Sequence, residues 1–278
     1  IFMDLKLCNG IMPLDKPRIM GIINVTPDSF YDGSDNLTKD TLLKKIEEFI
    51  ADGADIIDIG AESTRPGSES ISVEEEIQRL SLIIPFYKKY FDVPLSLDTM
   101  KSKVAQYGLD YGVDIINDVS GCDYDQDMIS VISRYSCSII IMHMLGIPKT
   151  MQNQIDYHNV VDDICEFFSL KLKQLSQFSV SDVVLDPGIG FGKLLQHNLE
   201  IIRSLDTFKR FDKPLLVGAS RKSFIGEITG DLVDSRLEGS IVSSILAYVN
   251  GANILRVHDV KSIKKSLDVA MAIGVNNA

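Results

Sequence analysis

One pattern governs most of this chain: an apolar run short enough for a strand, a polar residue at its end, a loop, then an apolar stripe at helical spacing. The runs are expected at about 18–25, 55–60, 94–99, 113–119, 137–144, 182–187, 214–219 and 252–257. Their nearly unbroken apolar character suits parallel strands covered on both faces. Between them, stripes such as Leu42, Leu43, Ile46, Phe49 and Ile50 recur with the helical period. One helix is expected over about Val73–Tyr90, one over Ser102–Tyr111 with Gly108 as an unfavourable interruption, and one over about Val160–Phe178. Eight such units close into a barrel or wind doubly into an open sheet. No GxGxxG follows the first run, and eight units in roughly 250 residues is the size of the closed form. The expected fold is a single α/β domain, a (β/α)8 TIM barrel over residues 1–278, because no low-complexity stretch or linker marks a second unit.

The segment Val183–Lys193, VVLDPGIGFGK, shows the unit most plainly. Three apolar residues deliver Asp186 to a strand tip, and Pro187, Gly188, Gly190 and Gly192 then dissolve the strand into a loop. In a closed barrel the strand C-termini share one rim. That rim would collect Asn24, Asp58, Asp98, Asn117, His143, Asp186, Lys222, Arg256 and His258. So many polar groups converging on one mouth need either mutual pairing or a polar ligand, since an unpaired buried charge is costly.

Charge narrows the ligand. With 28 basic against 39 acidic residues the net charge is -11, which argues against a general nucleic-acid or anionic-membrane binder. An anionic substrate would have to meet locally gathered cations. Four cysteines without a CxxC pair read as reduced thiols, and no run approaches membrane-span length, so a cytoplasmic protein is expected. The chain opens at Ile1 rather than Met, which leaves room for a preceding domain.

The residue types suggest a division of labour. A carboxylate accepts two parallel N–H bonds from an amino-pyrimidinone edge, and amides match the donors and acceptors beside it. Asp98, Asn117 and Asp186 suit that task, with Lys222 donating to a ring carbonyl or nitrogen. Arg256, His258 and the hydroxyls of Ser63 or Thr64 beside Arg65 offer an oxyanion site. Asn24 supplies a neutral oxygen for a hydrated Mg2+ that already carries phosphate ligands. Two loops, Thr26–Ser34 and Glu62–Ser70, are rich in Gly, Pro and Ser and sit just past the first two strands as covers. His143 within IIIMHM reads equally as a core histidine and is left out of catalysis, and Met142 reads first as barrel filling that could also touch substrate. His158 and His197 lie outside the strands and read as structural.

Eight motifs in order carry a resemblance over essentially the whole chain. They are Gly21–Gly33, Asp55–Ser68, Leu97–Ala105, Ile115–Gly121, Met142–Gln152, Leu185–Lys193, Gly218–Gly226 and Arg256–Val260. Together they are similar to the dihydropteroate synthase family of folate biosynthesis. That family condenses 6-hydroxymethyl-7,8-dihydropterin pyrophosphate with p-aminobenzoate, giving 7,8-dihydropteroate and pyrophosphate. The resemblance implies that Asp98, Asn117, Asp186 and Lys222, with Met142, hold the pterin. It implies that Asn24, Thr64, Arg65, Arg256 and His258 hold the pyrophosphate, Asn24 doing so with Mg2+. Phe30, Thr64, Pro66, Phe191, Ser220 and Lys222 would line the aminobenzoate site, which sulfonamides also occupy. Asp98, Lys222, Asp32, Phe30 and Arg65 would form the catalytic set.

The sequences ESTRPGS and GFGK match the drug-sensitive form, so sulfonamide binding is expected. A homodimer through the late helices and a pterin pyrophosphokinase fused ahead of Ile1 are further implications of the resemblance. Two other readings remain open on sequence: a methyltetrahydrofolate–corrinoid methyltransferase, sharing the Asp and Asn pterin readers, and an inactive pterin-binding paralogue. The first has no need of the STRPG, SRKS and RVHD segments, and the second usually lacks a site charge.

Overall fold

Residues 3–26, 38–64, 67–146, 149–151 and 155–274 are described in the structure, a computed structural model. Its strands are β1 (Asp4–Leu7), β2 (Gly10–Pro13), β3 (Arg18–Asn24), β4 (Ile56–Gly60), β5 (Leu95–Asp98), β6 (Ile115–Asp118), β7 (Ser138–Met142), β8 (Val183–Asp186), β9 (Leu216–Val217) and β10 (Ile254–Val257). Strands β3 to β10 form one parallel sheet in the order β8-β7-β6-β5-β4-β3-β10-β9. A parallel bridge between Leu185 and Leu215 joins its ends and closes the barrel. All eight expected strands are present, each trimmed at its ends or matched.

The two-residue period of a strand sorts each segment between two cores. In β5, Leu95 and Leu97 face the helices and join the large outer core. Met20, Ile56, Ile115, Ile140, Val184, Leu216 and Ile254 face inward and fill the barrel with a second apolar layer. Each buried aliphatic of this kind contributes about 1.5–3 kcal/mol over leaving it in water. Two residues further along the same inward rows stand Asp58, Asn117, Met142, Asp186 and Arg256, with Asp98 two beyond Ser96 in β5. One alternation therefore gives a greasy floor and a polar mouth.

The antiparallel pair β1–β2 was not foreseen. Leu5 and the following Leu14 pack against the inner layer and close the barrel's N-terminal end. Ser138 Oγ donates to Lys6 O at 2.8 Å and anchors the hairpin to β7. Neither strand is an unbroken apolar run, since Asp4 and Lys6 interrupt β1 and Gly10 and Pro13 bracket β2, which is why the sequence did not announce them.

The expected single helix over 73–90 is two, Val73–Leu80 and Ile84–Tyr90. Pro85 lies in the first turn of the second, where its missing N–H costs nothing; inside a continuous helix it would break a hydrogen bond. Gly108 does not end its helix, which runs Ser102–Asp110. A Cβ there would lie 2.5 Å from Leu97 Cδ2, so the glycine lets the helix lie close on β5. Among the described residues no helix is long and apolar enough to cross a membrane.

Candidate active site

Strand register brings the first groups together. Asp98 is the Cα partner of Asn117, and Met142 that of Asp186. Residues in register on parallel strands share a face, so these four project into the same mouth. Gly60 stands opposite Asp98 and leaves that side open, since a Cβ there would come within 3.2 Å of Asp98 Cβ.

Arg256 organises the carboxylates. Its Nε donates to Asp58 Oδ2 at 2.7 Å, and its Nη2 donates to Asp98 Oδ2 at 2.7 Å. Asn117 Nδ2 also donates to Asp58 Oδ2, at 3.3 Å. Asp58 is fully buried and its Oδ1 has no hydrogen-bond partner among the described residues. Burial works against the Arg256 charge, yet Asp58 and Asp98 together hold its pKa above the ordinary arginine value. Burial pushes Asp98 up to about 7, with Arg256 opposing and Asp58 reinforcing the rise. Asp186 is likewise raised by burial, against the Gly188 N–H at 2.8 Å and the nearby Lys222 and Arg256 charges.

The loop after β8 needs its glycines. Gly188 has φ +69°, and a Cβ on it would sit 2.0 Å from His143 O. The chain must pass this close to β7 for Phe191 to reach the mouth. Lys193 then fastens the loop: its Nζ lies 3.0 Å from His143 Nδ1, 3.2 Å from His143 O and 3.1 Å from Phe191 O. Burial lowers Lys193 to about 7, and burial with the Lys193 charge lowers His143 to about 3, so the imidazole is neutral. Met100, Val119, Met142, Met151 and Phe191 form a separate buried apolar cluster beside these groups.

From the loop after β9, Lys222 Nζ stands 4.0 Å from the Phe191 ring centroid, a cation–π distance. Burial and Arg256 lower its pKa to about 8, so it is mainly protonated at neutral pH. Ser220 Oγ accepts the His258 backbone N–H at 3.3 Å and lies 3.2 Å from His258 Nδ1. With the Ser220 hydroxyl proton turned to Nδ1, the neutral ring would carry its own proton on Nε2. Burial, then Arg256 and Lys222, lower His258 to about 4.

The structure thus gathers Asp98, Asn117, Met142, Asp186, Phe191, Ser220, Lys222, Arg256 and His258 at one barrel end. Asn24 closes β3 at the same rim, half-buried, and Thr64 is half-buried beyond β4. Phe30, Asp32, Arg65 and Pro66 lie outside the described residues. Asp118, beside Asn117, turns the other way and accepts from Ser120 N–H, Ser120 Oγ and Cys122 N–H, a turn-bracing role. Two participants had no assigned role on sequence: Asp58, whose inward position two residues before a strand tip was the available signal, and Lys193, which only the folded loop brings onto His143.

Chemically, this mouth offers carboxylates and an amide for a flat hydrogen-bonding heterocycle, an apolar cluster against which a ring can lie, and cations for an anionic group. Known proteins agree with that reading. Residues 20–258 match the pterin binding enzyme family. The chain is 40% identical over 259 residues to a dihydropteroate synthase of Synechocystis, covering 92% of this chain and 89% of that one. Its fold is similar to that of a Yersinia pestis dihydropteroate synthase solved as a sulfonamide drug complex, with TM-score 0.93, 35% identity, and coverage of 98% and 99% of the two chains. A Xanthomonas albilineans dihydropteroate synthase with 4-aminobenzoic acid superposes with TM-score 0.91 at 35% identity, again over 98% and 99%. The chain belongs to the pterin-binding enzymes and, within them, to the dihydropteroate synthase family.

Proposed function

We propose that this chain is a transferase that joins 6-hydroxymethyl-7,8-dihydropterin pyrophosphate to p-aminobenzoate, releasing pyrophosphate and 7,8-dihydropteroate. The observation that carries the reading is the buried set Asp98, Asn117 and Asp186, with half-buried Lys222, beside the apolar Met142–Phe191 cluster at one barrel mouth. In this reading Asp186 and Asn117 accept and donate along the pterin edge, and Lys222 donates to the ring. Phe191, Ser220 and Lys222 border the aminobenzoate, and a sulfonamide would compete there.

Arg256 and the Nε2–H of His258 face the pyrophosphate. Asn24 is the described group suited to Mg2+: it supplies one neutral oxygen at the rim, and no cluster of three His, Cys, Asp or Glu among the described residues could hold a metal alone. Such a donor set fits an ion that keeps water and phosphate oxygens as its other ligands. When bound it would offset charge on the departing pyrophosphate. Asp98, held by Arg256, favours positive charge on the pterin's exocyclic carbon as the C–O bond breaks. The aminobenzoate nitrogen is neutral at pH 7 and attacks without a strong general base. Phe30, Asp32, Thr64, Arg65 and Pro66 complete the site in this reading and exclude water.

The assembly we propose is a homodimer of such barrels. Val242 and Leu246 on the helix Leu237–Val249, and Val269 with Ile273 on and just past the helix Val260–Ala272, are exposed at 58%, 48%, 60% and 75%. Adjacent apolar side chains of this kind suit a self-complementary contact. Calorimetric titration tests the site: the dihydropterin pyrophosphate should bind with Mg2+ present, and a sulfonamide should compete with p-aminobenzoate. No heat from the pterin substrate would refute the assignment.

A further inference from the structure

Arg221 adopts φ +57°, in the left-handed region that non-glycine residues avoid. A side chain is held there only when its surroundings leave no alternative, and such positions gather at functional sites. Three hydrogen-bonded contacts supply that constraint, and Arg221 Nη1 lies a further 3.6 Å from Oδ1 of the exposed Asp234. Arg221 Nε and Nη2 donate as a fork to Asp259 Oδ2 and Oδ1 at 2.8 and 2.6 Å. Its backbone N–H donates to Ser240 Oγ at 2.8 Å, and its carbonyl accepts from Arg236 Nη1 at 3.1 Å. Ser240 Oγ in turn donates to Arg236 O at 2.6 Å, so the two clamps brace each other.

The residues on either side of Arg221 are both site groups. Ser220 contacts His258 through its backbone N–H and its ring, and Lys222 lies over Phe191. Asp259, the partner of the fork, directly follows His258. One ion pair therefore ties the loop after β9 to the loop after β10 from outside the mouth. The αL kink lets Ser220 and Lys222 both turn inward while Arg221 itself faces Asp259.

We infer that Arg221 is a positioning residue: through its fork to Asp259 it holds the left-handed turn that aims Ser220 and Lys222 together into the mouth. This rests on the synthase reading for its kinetic readout and on geometry alone for its structural one. The test compares Arg221→Ala, Arg221→Lys, Asp259→Ala and the Arg221→Ala/Asp259→Ala double variant with wild type, well below each variant's Tm. KM for p-aminobenzoate should rise about tenfold or more in both alanine variants, and the double variant should be no worse than the worse single one. Arg221→Lys should recover only part of the loss, because an ammonium cannot reproduce a two-pronged contact. Should Arg221→Ala not fold, Arg221→Lys and Asp259→Ala carry the comparison.

In a crystal structure of a folded variant, Lys222 Nζ should leave the Phe191 ring and Ser220 should leave His258. Unchanged KM with a lower Tm, or Lys222 still seated on Phe191, would overturn the proposal. Wild-type protein that makes no dihydropteroate would instead sink the synthase reading, and the crystallographic comparison would still decide the positioning role.

Discussion

Replacing Asp58 by alanine probes the point on which the whole mouth turns. Its carboxylate is wholly buried and receives Arg256, whose side chain is 17% exposed. Removing one partner of a buried ion pair costs about 3–5 kcal/mol, because the other charge is left in a poorly solvated place. Asp98 still holds Arg256 at 2.7 Å, which places the expected loss at the lower end, about 3 kcal/mol. For a chain of this size that lowers Tm by about 6–12 °C. A second effect distinguishes this from a generic core defect. The Asp58 charge is one of the causes raising Asp98, and its removal also leaves Arg256 to Asp98 alone, so the Asp98 pKa should fall from about 7. If ionised Asp98 supports the pterin cation, the acid limb of the kcat/KM profile moves to lower pH. Asp58→Asn, which keeps an acceptor without the charge, should lose less stability and show the same displacement. A Tm and a pH profile both equal to wild type would refute the reasoning.

Other consequences follow from single groups. Asp186→Ala leaves the pterin's N–H groups unpaired and should weaken calorimetric binding by about 1–3 kcal/mol; equal affinity would remove Asp186 from the pterin site. Gly188→Ala adds a methyl 2.0 Å from His143 O at a φ of +69°, and should abolish turnover and lower the urea midpoint; a wild-type midpoint would show that the loop has room there. His143 and His258 are depressed to about 3 and 4, below the 6.5 of the unfolded state. At these two positions the unfolded chain binds more protons in that interval, so the histidine contribution to stability falls as pH drops from about 6.5 toward 4, while Asp98, Asp118 and Asp186, raised by burial, act in the opposite sense. Urea titrations of wild type and His258→Asn side by side isolate the histidine part: wild type should lose stability relative to the variant as pH falls through that window, and parallel curves would refute it.

The barrel was legible because each strand is a nearly unbroken apolar run, and the mouth because strand tips in such a fold must share a rim. Asp98, Asn117 and Asp186 needed only that rule, and register confirmed their common face. What stayed hidden depended on contacts between segments far apart in sequence. Lys193 meets His143 only after the glycine loop folds back across β7, and Asp58 gains meaning only when β10 brings Arg256 over it. The left-handed turn at Arg221 leaves no sequence trace, since arginine is not a residue that announces positive φ. The β1–β2 hairpin was missed because its strands are not apolar runs, and the helix break before Pro85 because apolar residues continue across it.

The most direct test of the account is turnover by wild type and Asp186→Ala side by side, with the dihydropterin pyrophosphate, p-aminobenzoate and Mg2+. Wild type should release dihydropteroate and pyrophosphate in equal amounts, only when both substrates are present and less when a sulfonamide is added, while Asp186→Ala falls well below it. Equal turnover by the two proteins, or none by wild type, would contradict the claim that this mouth performs the condensation.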